Sequence, residues 1–197
     1  MPLLPDNGHM DLLRDACLTL FDEGEALGAM EIAARLMEAG ELPMHCPYHH
    51  FLVPAALLTA AHIRNGNSRE KLAADLNKAR ERSKDIPGGI CGLNGCCGAA
   101  IGAGIFASIW RGTNPMSKGD WAAANRITGR ALMAIGSVDG PRCCKRVCFL
   151  SLREAIPAIY EELGVDLGGT EMVCVHFSRS RECKKEACPF YPTKKEN

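Results

Sequence analysis

The sequence predicts a mostly α-helical single domain, a helical bundle with an irregular, cysteine-rich C-terminal tail. Three observations predict it. Apolar residues recur at helical spacing in several long segments. One short run alone reads as a strand. Alanine is abundant and aromatics make up 6% of the 197 residues, which suits closely packed helices.

The elements follow in order. Met10, Leu13, Cys17 and Leu20 keep a helical spacing. A second helix is expected over residues 26–39, with Ile32 and Leu36 inward and Gly40 just past its end. A helix over residues 50–65 tolerates Pro54, because first-turn N–H groups have no intrahelical partner. Ser68 caps the next helix, which carries Leu72, Leu76 and Ala79 on one face, and "DIPGG" ends it. Residues 97–110 form a further helix. Ser117 and Asp120 give an S-x-x-D start to a helix bearing Trp121, Ala124, Thr128, Ala131 and Ile135. The last helix covers residues 145–163 and is interrupted or kinked at Pro157. "EMVCV", residues 171–175, reads as the one strand. The chain thus divides into N-terminal helices (1–44), a helical core with Cys/His loops (45–172) and a metal-anchored tail (173–197), without internal repeats or linkers.

Composition narrows the function. Net charge is zero, so bulk electrostatics gives no reason to expect nucleic acid or an anionic membrane as partner. The longest apolar run, residues 98–110, is too short and glycine-rich to span a bilayer. The opening "MPLLPDNGHM" lacks the marks of a signal peptide, and the 11 cysteines are odd in number. A reducing cytoplasm is expected, where many cysteines mean metal or redox chemistry.

Cys17 lies within a helix and reads as a core residue. The other ten cysteines fall at helix ends or in the tail, where distant segments can converge. No C-x-x-C is present, which weighs against zinc ribbons, two-cluster ferredoxins and thioredoxin-like dithiols. C-x₄-C recurs instead, at Cys91/Cys96, Cys143/Cys148 and Cys183/Cys188, a spacing that iron–sulfur ligands use on loops.

Four segments carry the candidates. In "GGICGLNGCCGAAIGAG", Cys91, Cys96 and Cys97 are the candidate metal ligands. Gly92, Gly95 and Gly98 let backbone N–H groups approach an anionic cluster, and a helix N-terminus follows. In "GPRCCKRVC", Cys143, Cys144 and Cys148 are flanked by Arg142, Lys145 and Arg146, whose charge compensates thiolates. Adjacent cysteines point apart, so one of Cys143/Cys144 and one of Cys96/Cys97 is expected at a given metal. In "CVHFSRSRECKKEACPFYP", Cys174, Cys183 and Cys188 need something to fold around. A metal serves, with one cysteine from elsewhere completing a four-thiolate site. In "HCPYHHF", Cys46 and the histidines are candidate ligands, and His49 or His50 a candidate proton carrier.

Together "CPYHHFLVPAALLTA", "GGICGLNGCCGAAIGAGIFASIW", "GPRCCKRVCFLSL" and "CVHFSRSRECKKEACPFYP" resemble a cysteine-rich family of anaerobic bacteria and archaea catalogued as domain of unknown function 5714. The resemblance covers most of the chain from about His45 onward. It implies no activity. Family members occur alone or attached to a methyltransferase-like domain, which a chain of this length is too short to include. More locally, "CGAAIGAGIF" is similar to a stretch of putative redox-active proteins related to the split-Soret cytochromes.

The expectation is an iron–sulfur protein of anaerobic metabolism with one or two [4Fe–4S] clusters. It would work in electron transfer, or in sulfur or small-molecule chemistry at an open iron, with a redox partner or small-molecule substrate. If it is an enzyme, an iron–sulfur-dependent oxidoreductase, lyase or transferase is meant. Two alternatives remain open: a zinc-stabilised binding module partnering a methyltransferase, and a thiol–disulfide redox enzyme using Cys143/Cys148 or Cys96/Cys97.

Overall fold

The computed structural model of this chain describes residues 7–39 and 42–192. They form eight α-helices: α1 (Asn7–Asp22), α2 (Ala29–Glu38), α3 (His49–Arg64), α4 (Arg69–Lys84), α5 (Ile90–Leu93), α6 (Gly98–Arg111), α7 (Asp120–Gly136) and α8 (Cys144–Leu163). Two 3₁₀ turns, Phe177–Arg179 and Lys185–Ala187, follow. There is no strand among the described residues. Gly40, expected to end the second helix, lies outside them.

The bundle is built around α3. Residues 49–62 are all buried, so this helix is apolar on every side and serves as the core itself. It packs against α1, α2, α4, α6 and α8. Helix α6 lies between α3 and α7, and α7 closes over α6 and α8. Cys17 is completely buried on α1, in the core position expected of it.

The approach of α6 to α3 depends on glycine. A Cβ on Gly98 would run into the His50 ring, and one on Gly102 would lie 2.6 Å from Pro54 Cδ and 3.0 Å from the His50 carbonyl. Helix α3 begins at His49, so Pro54 sits beyond the first turn rather than inside it. Its missing N–H therefore leaves the His50 carbonyl without an intrahelical bond, and Gly102 is pressed against that spot.

Several local expectations are corrected. "EMVCV" runs without a ladder partner; the Cys174 N–H donates one bond to the Phe190 carbonyl, 2.7 Å. Ser117 does not cap α7. Its hydroxyl accepts from the Asn114 N–H at 3.0 Å, closing the preceding turn, and Asp120 opens the helix. The glycine-rich bend contains α5, which Gly89 starts at φ 89°, a left-handed conformation natural to glycine. Ser68 does cap α4, accepting from the Lys71 N–H at 3.3 Å. Pro157 lies inside α8, which continues through it to Leu163.

Candidate metal centres

The cysteines that lie far apart in sequence gather at two places. The first is a cavity of about 280 Å³ lined by Cys46, Cys91, Cys97 and Cys144, together with His45, His49, His50 and Arg142. Its walls are the first turns of three long helices: His49 and His50 of α3, Cys97 and Ala99 at α6, Cys144 and Val147 of α8. The positive ends of three helix dipoles therefore face one space, a setting that favours anions. The cavity continues into an open mouth between α5 and the tail, where Cys91, Gly92, Leu93, Arg142, His45 and Glu182 meet.

Backbone N–H groups are directed at the sulfurs. Cys97 stands at the N-cap position of α6, where its sulfur faces the N–H groups of Ala99 and Ala100 without closing a capping bond. Cys46 faces those of Tyr48 and His49, and Cys144 faces that of Cys46. Bonds of this kind hold and tune thiolate ligands. As thiols, these groups keep their protons. Burial pushes Cys46 and Cys97 up to about 11, and Cys144 is likewise raised, first by burial. A bound metal would deprotonate them outright.

The charges around the cavity are one-sided. Arg142 reaches Cys91 Sγ at 4.0 Å. Lys145 is 1% exposed, and among the described residues its Nζ hydrogen-bonds to the Leu42 carbonyl alone, at 3.5 Å. Burial pulls this ammonium below its usual range, while the neighbouring Cys148 and Cys46 pull it back up. Arg146 is also buried; it donates to the Pro141 carbonyl at 2.6 Å, and its Nε has no partner. Among the described residues the one buried carboxylate is Asp75, engaged on α4 with His62, Lys71 and Lys78. Buried cations without carboxylates call for another source of negative charge. Thiolates, if a metal held them deprotonated, would provide it.

The histidines face the same cavity. His49 Nδ1 lies 3.0 Å from the Cys46 carbonyl and 3.1 Å from Cys46 Sγ, and its Nε2 is buried without a partner. Burial lowers the ring to about 3, so His49 is neutral. His50 Nδ1 donates to the Ile86 carbonyl at 3.1 Å, so its Nε2 is the basic atom. At the mouth, His45 Nε2 meets Glu182 Oε2 at 2.7 Å, tying the tail to this loop.

The second place is a small, apolar pocket of about 20 Å³ lined by Cys143, Cys174, Cys183 and Cys188, with Arg146, His176 and Lys184 beside them. The sulfur of Cys183 accepts from the Lys185 N–H at 3.4 Å, and that of Cys174 has the His176 N–H beside it. Burial and then the neighbouring Cys143, Cys188 and Cys183 raise the Cys174 thiol. The tail is better anchored than its composition suggests. Phe190 is buried against Phe149, and Lys184 Nζ donates to the Asp139 and Gly140 carbonyls at 3.1 Å.

The adjacent pair Cys143–Cys144 is split between the two places. Cys143 has extended backbone, φ −130° and ψ 114°, and Cys144 begins α8, so their side chains diverge. Of the other candidates, Cys96 lines neither pocket, and Cys148 is wholly buried with its sulfur on the His49 carbonyl at 3.7 Å. Gly98 serves helix packing, Gly92 borders the mouth and Gly95 lines neither pocket. Sequence reasoning had His45 among its candidates but missed its pairing with Glu182, and it missed His176, because nothing in their spacing links residues so far apart. Among the described residues no three Cys, His, Asp or Glu side chains stand in the arrangement of ligands around one ion. No described helix is long and apolar enough to cross a membrane.

A family model described as "Family of unknown function (DUF5714)" matches residues 19–191, and so begins upstream of the four segments that carry the resemblance. No curated protein and no solved structure matches, and the local split-Soret likeness has no counterpart among the findings.

Proposed function

The chain belongs to the DUF5714 family, whose description assigns no activity, and from its own residues we propose that it is an iron–sulfur protein of anaerobic metabolism. A [4Fe–4S] cluster would be held by Cys46, Cys91, Cys97 and Cys144. The observation that carries this reading is that four cysteines from three distant segments line one cavity of about 280 Å³. That space is roomy for a single ion and sits just under the roughly 300–1,000 Å³ typical of small-molecule sites.

Such a cluster supplies one-electron transfer, or Lewis acidity at an iron that gives up a thiolate. The chain's own residues supply the rest. Three helix N-termini, Arg142 and Lys145 offset the negative charge. The N–H donors behind Cys46, Cys97 and Cys144 fix the sulfurs, and His50 Nε2 offers a basic atom at the wall. The open mouth beside Cys91 supports access by a small substrate or a redox partner, and it would admit oxygen as readily, which suits anaerobic work. In each pair of the thiol–disulfide alternative burial raises one thiol, Cys148 or Cys97, which makes that member a poor nucleophile.

Anaerobic purification followed by iron and acid-labile sulfide analysis tests the reading. Brown protein with about four irons and four sulfides at this site is expected. Colourless protein without sulfide would sink it.

A further inference from the structure

The two cysteine pockets differ more than tenfold in volume, about 280 Å³ against about 20 Å³. A cavity needs about 10–15 Å³ to hold one water-sized occupant, so the smaller pocket has room for an ion and little else. It is apolar and lined by four cysteines. Four thiolates fill a tetrahedral shell, the structural kind of site, whereas working sites keep an open position. We propose that Cys143, Cys174, Cys183 and Cys188 bind a single thiophilic divalent cation, with zinc the ion whose tetrahedral, redox-silent chemistry fits, and that this ion pins the tail against α8.

Three observations carry the proposal. The four cysteines come from two segments some thirty residues apart or more, yet share one apolar pocket. The sulfur of Cys183 already accepts a backbone N–H from two residues ahead, that of Lys185 at 3.4 Å, and Cys174 has the His176 N–H beside it in the same relation. This is the local turn that presents a thiolate to a metal. The charges beside the sulfurs are cations, Arg146 and Lys184, and no carboxylate lines the pocket. A cation held by four thiolates is a net anion, which those two side chains would offset. The sulfurs do not stand in single-ion geometry as the chain is described, so binding would draw them inward and its free energy would order the tail.

The ion would act at a distance on the first cavity. Glu182 adjoins Cys183, and its carboxylate holds His45 at the mouth, 2.7 Å away. Cys143 adjoins Cys144, a wall of the same cavity. A metal in the smaller pocket thereby sets two sides of the larger one without touching it.

The test uses the full chain, purified anaerobically, with Cys183→Ser and Cys188→Ser variants analysed for zinc, iron and sulfide. The wild type is expected to carry about one zinc per chain, and each variant to lose at least five-fold of it while iron and sulfide stay level. Trypsin should then cut at Arg179, Arg181 or Lys184 at least ten-fold faster. Loss of several irons with their sulfide would overturn the proposal in favour of a second cluster. Unchanged metal content in both variants would overturn it outright. Should the variants not fold, cobalt(II) titration of the metal-stripped wild type decides. Tetrahedral thiolate–cobalt bands saturating at one equivalent support the site, and their absence refutes it. The proposal does not depend on the cluster reading: zinc reports on one pocket, sulfide on the other.

Discussion

Cys96 and Cys97 are neighbours in sequence with different surroundings. Cys97 is 5% exposed, stands at the N-cap position of α6 and borders the larger cavity, while Cys96 lines neither pocket. Cys97→Ser is expected to lower iron and sulfide at least several-fold, and Cys96→Ser to leave both unchanged, as measured on anaerobically purified protein. A result in which both variants lose iron alike would remove Cys97's special place. His62 yields a second prediction at this scale. It is fully buried beside Asp75, and burial, then Lys71, lowers its pKa from 6.5. The folded chain therefore keeps His62 neutral where the unfolded chain takes up a proton. Stability is fully present above about pH 6.5 and is lost as pH falls below it towards the folded pKa. Urea titrations at pH 7 and pH 5 should show this loss, and it should be smaller in His62→Gln.

At the scale of elements, α6 is the piece that tolerates least change. Gly98→Ala places a methyl group in the His50 ring, and overpacking of this kind costs about 1–3 kcal/mol. Denaturant unfolding should register that loss, and His50 should move from the cavity wall. Ser68→Ala removes the cap of α4, at a cost of about 1 kcal/mol; the same measurement checks it. The long helices were legible in the sequence because periodicity over ten or more residues is a strong signal. Helix α5 was not, since the four residues Ile90–Leu93 span barely one turn and carry no period. "EMVCV" has the alternation of a strand, but strand identity depends on a partner, and the chain offers only the Phe190 carbonyl. Ser117 had the spacing of a cap, yet the Asn114 turn claims its hydroxyl.

Across the whole molecule, the candidate site was partly legible. Cysteines at helix ends, with cations around them, were visible as segments. Which segments meet was not, because that is decided by how α6 and α8 pack against the apolar α3. The divergence of adjacent cysteines was readable from backbone geometry, but the assignment of Cys144 to the larger cavity and Cys143 to the smaller required the fold. Lys145 and Arg146 read as charges that compensate thiolates, but nothing in their spacing marked them as buried, which they are. Their burial makes the whole fold sensitive to what neutralises them. Removing metal with a chelator under reducing conditions is expected to lower the melting temperature by several degrees, followed by calorimetry. Lys145→Met should shrink that dependence, because it deletes a buried charge that has no carboxylate to meet.

The larger cavity is walled unevenly. Cys97 and Cys144 stand at the starts of the long helices α6 and α8 and are 5% and 7% exposed, whereas Cys46, on the loop before α3, and Cys91, on the one-turn α5, are half-buried. In the metal-free chain this unevenness becomes a ranking of chemical accessibility. Iodoacetamide, followed by mass spectrometry, should label Cys91 and Cys46 well before Cys97 and Cys144. A bound cluster would inherit the same ranking. Its corner at Cys91, next to the mouth, would be the first to exchange its thiolate for an incoming molecule, and the corners at Cys97 and Cys144 the last to let go.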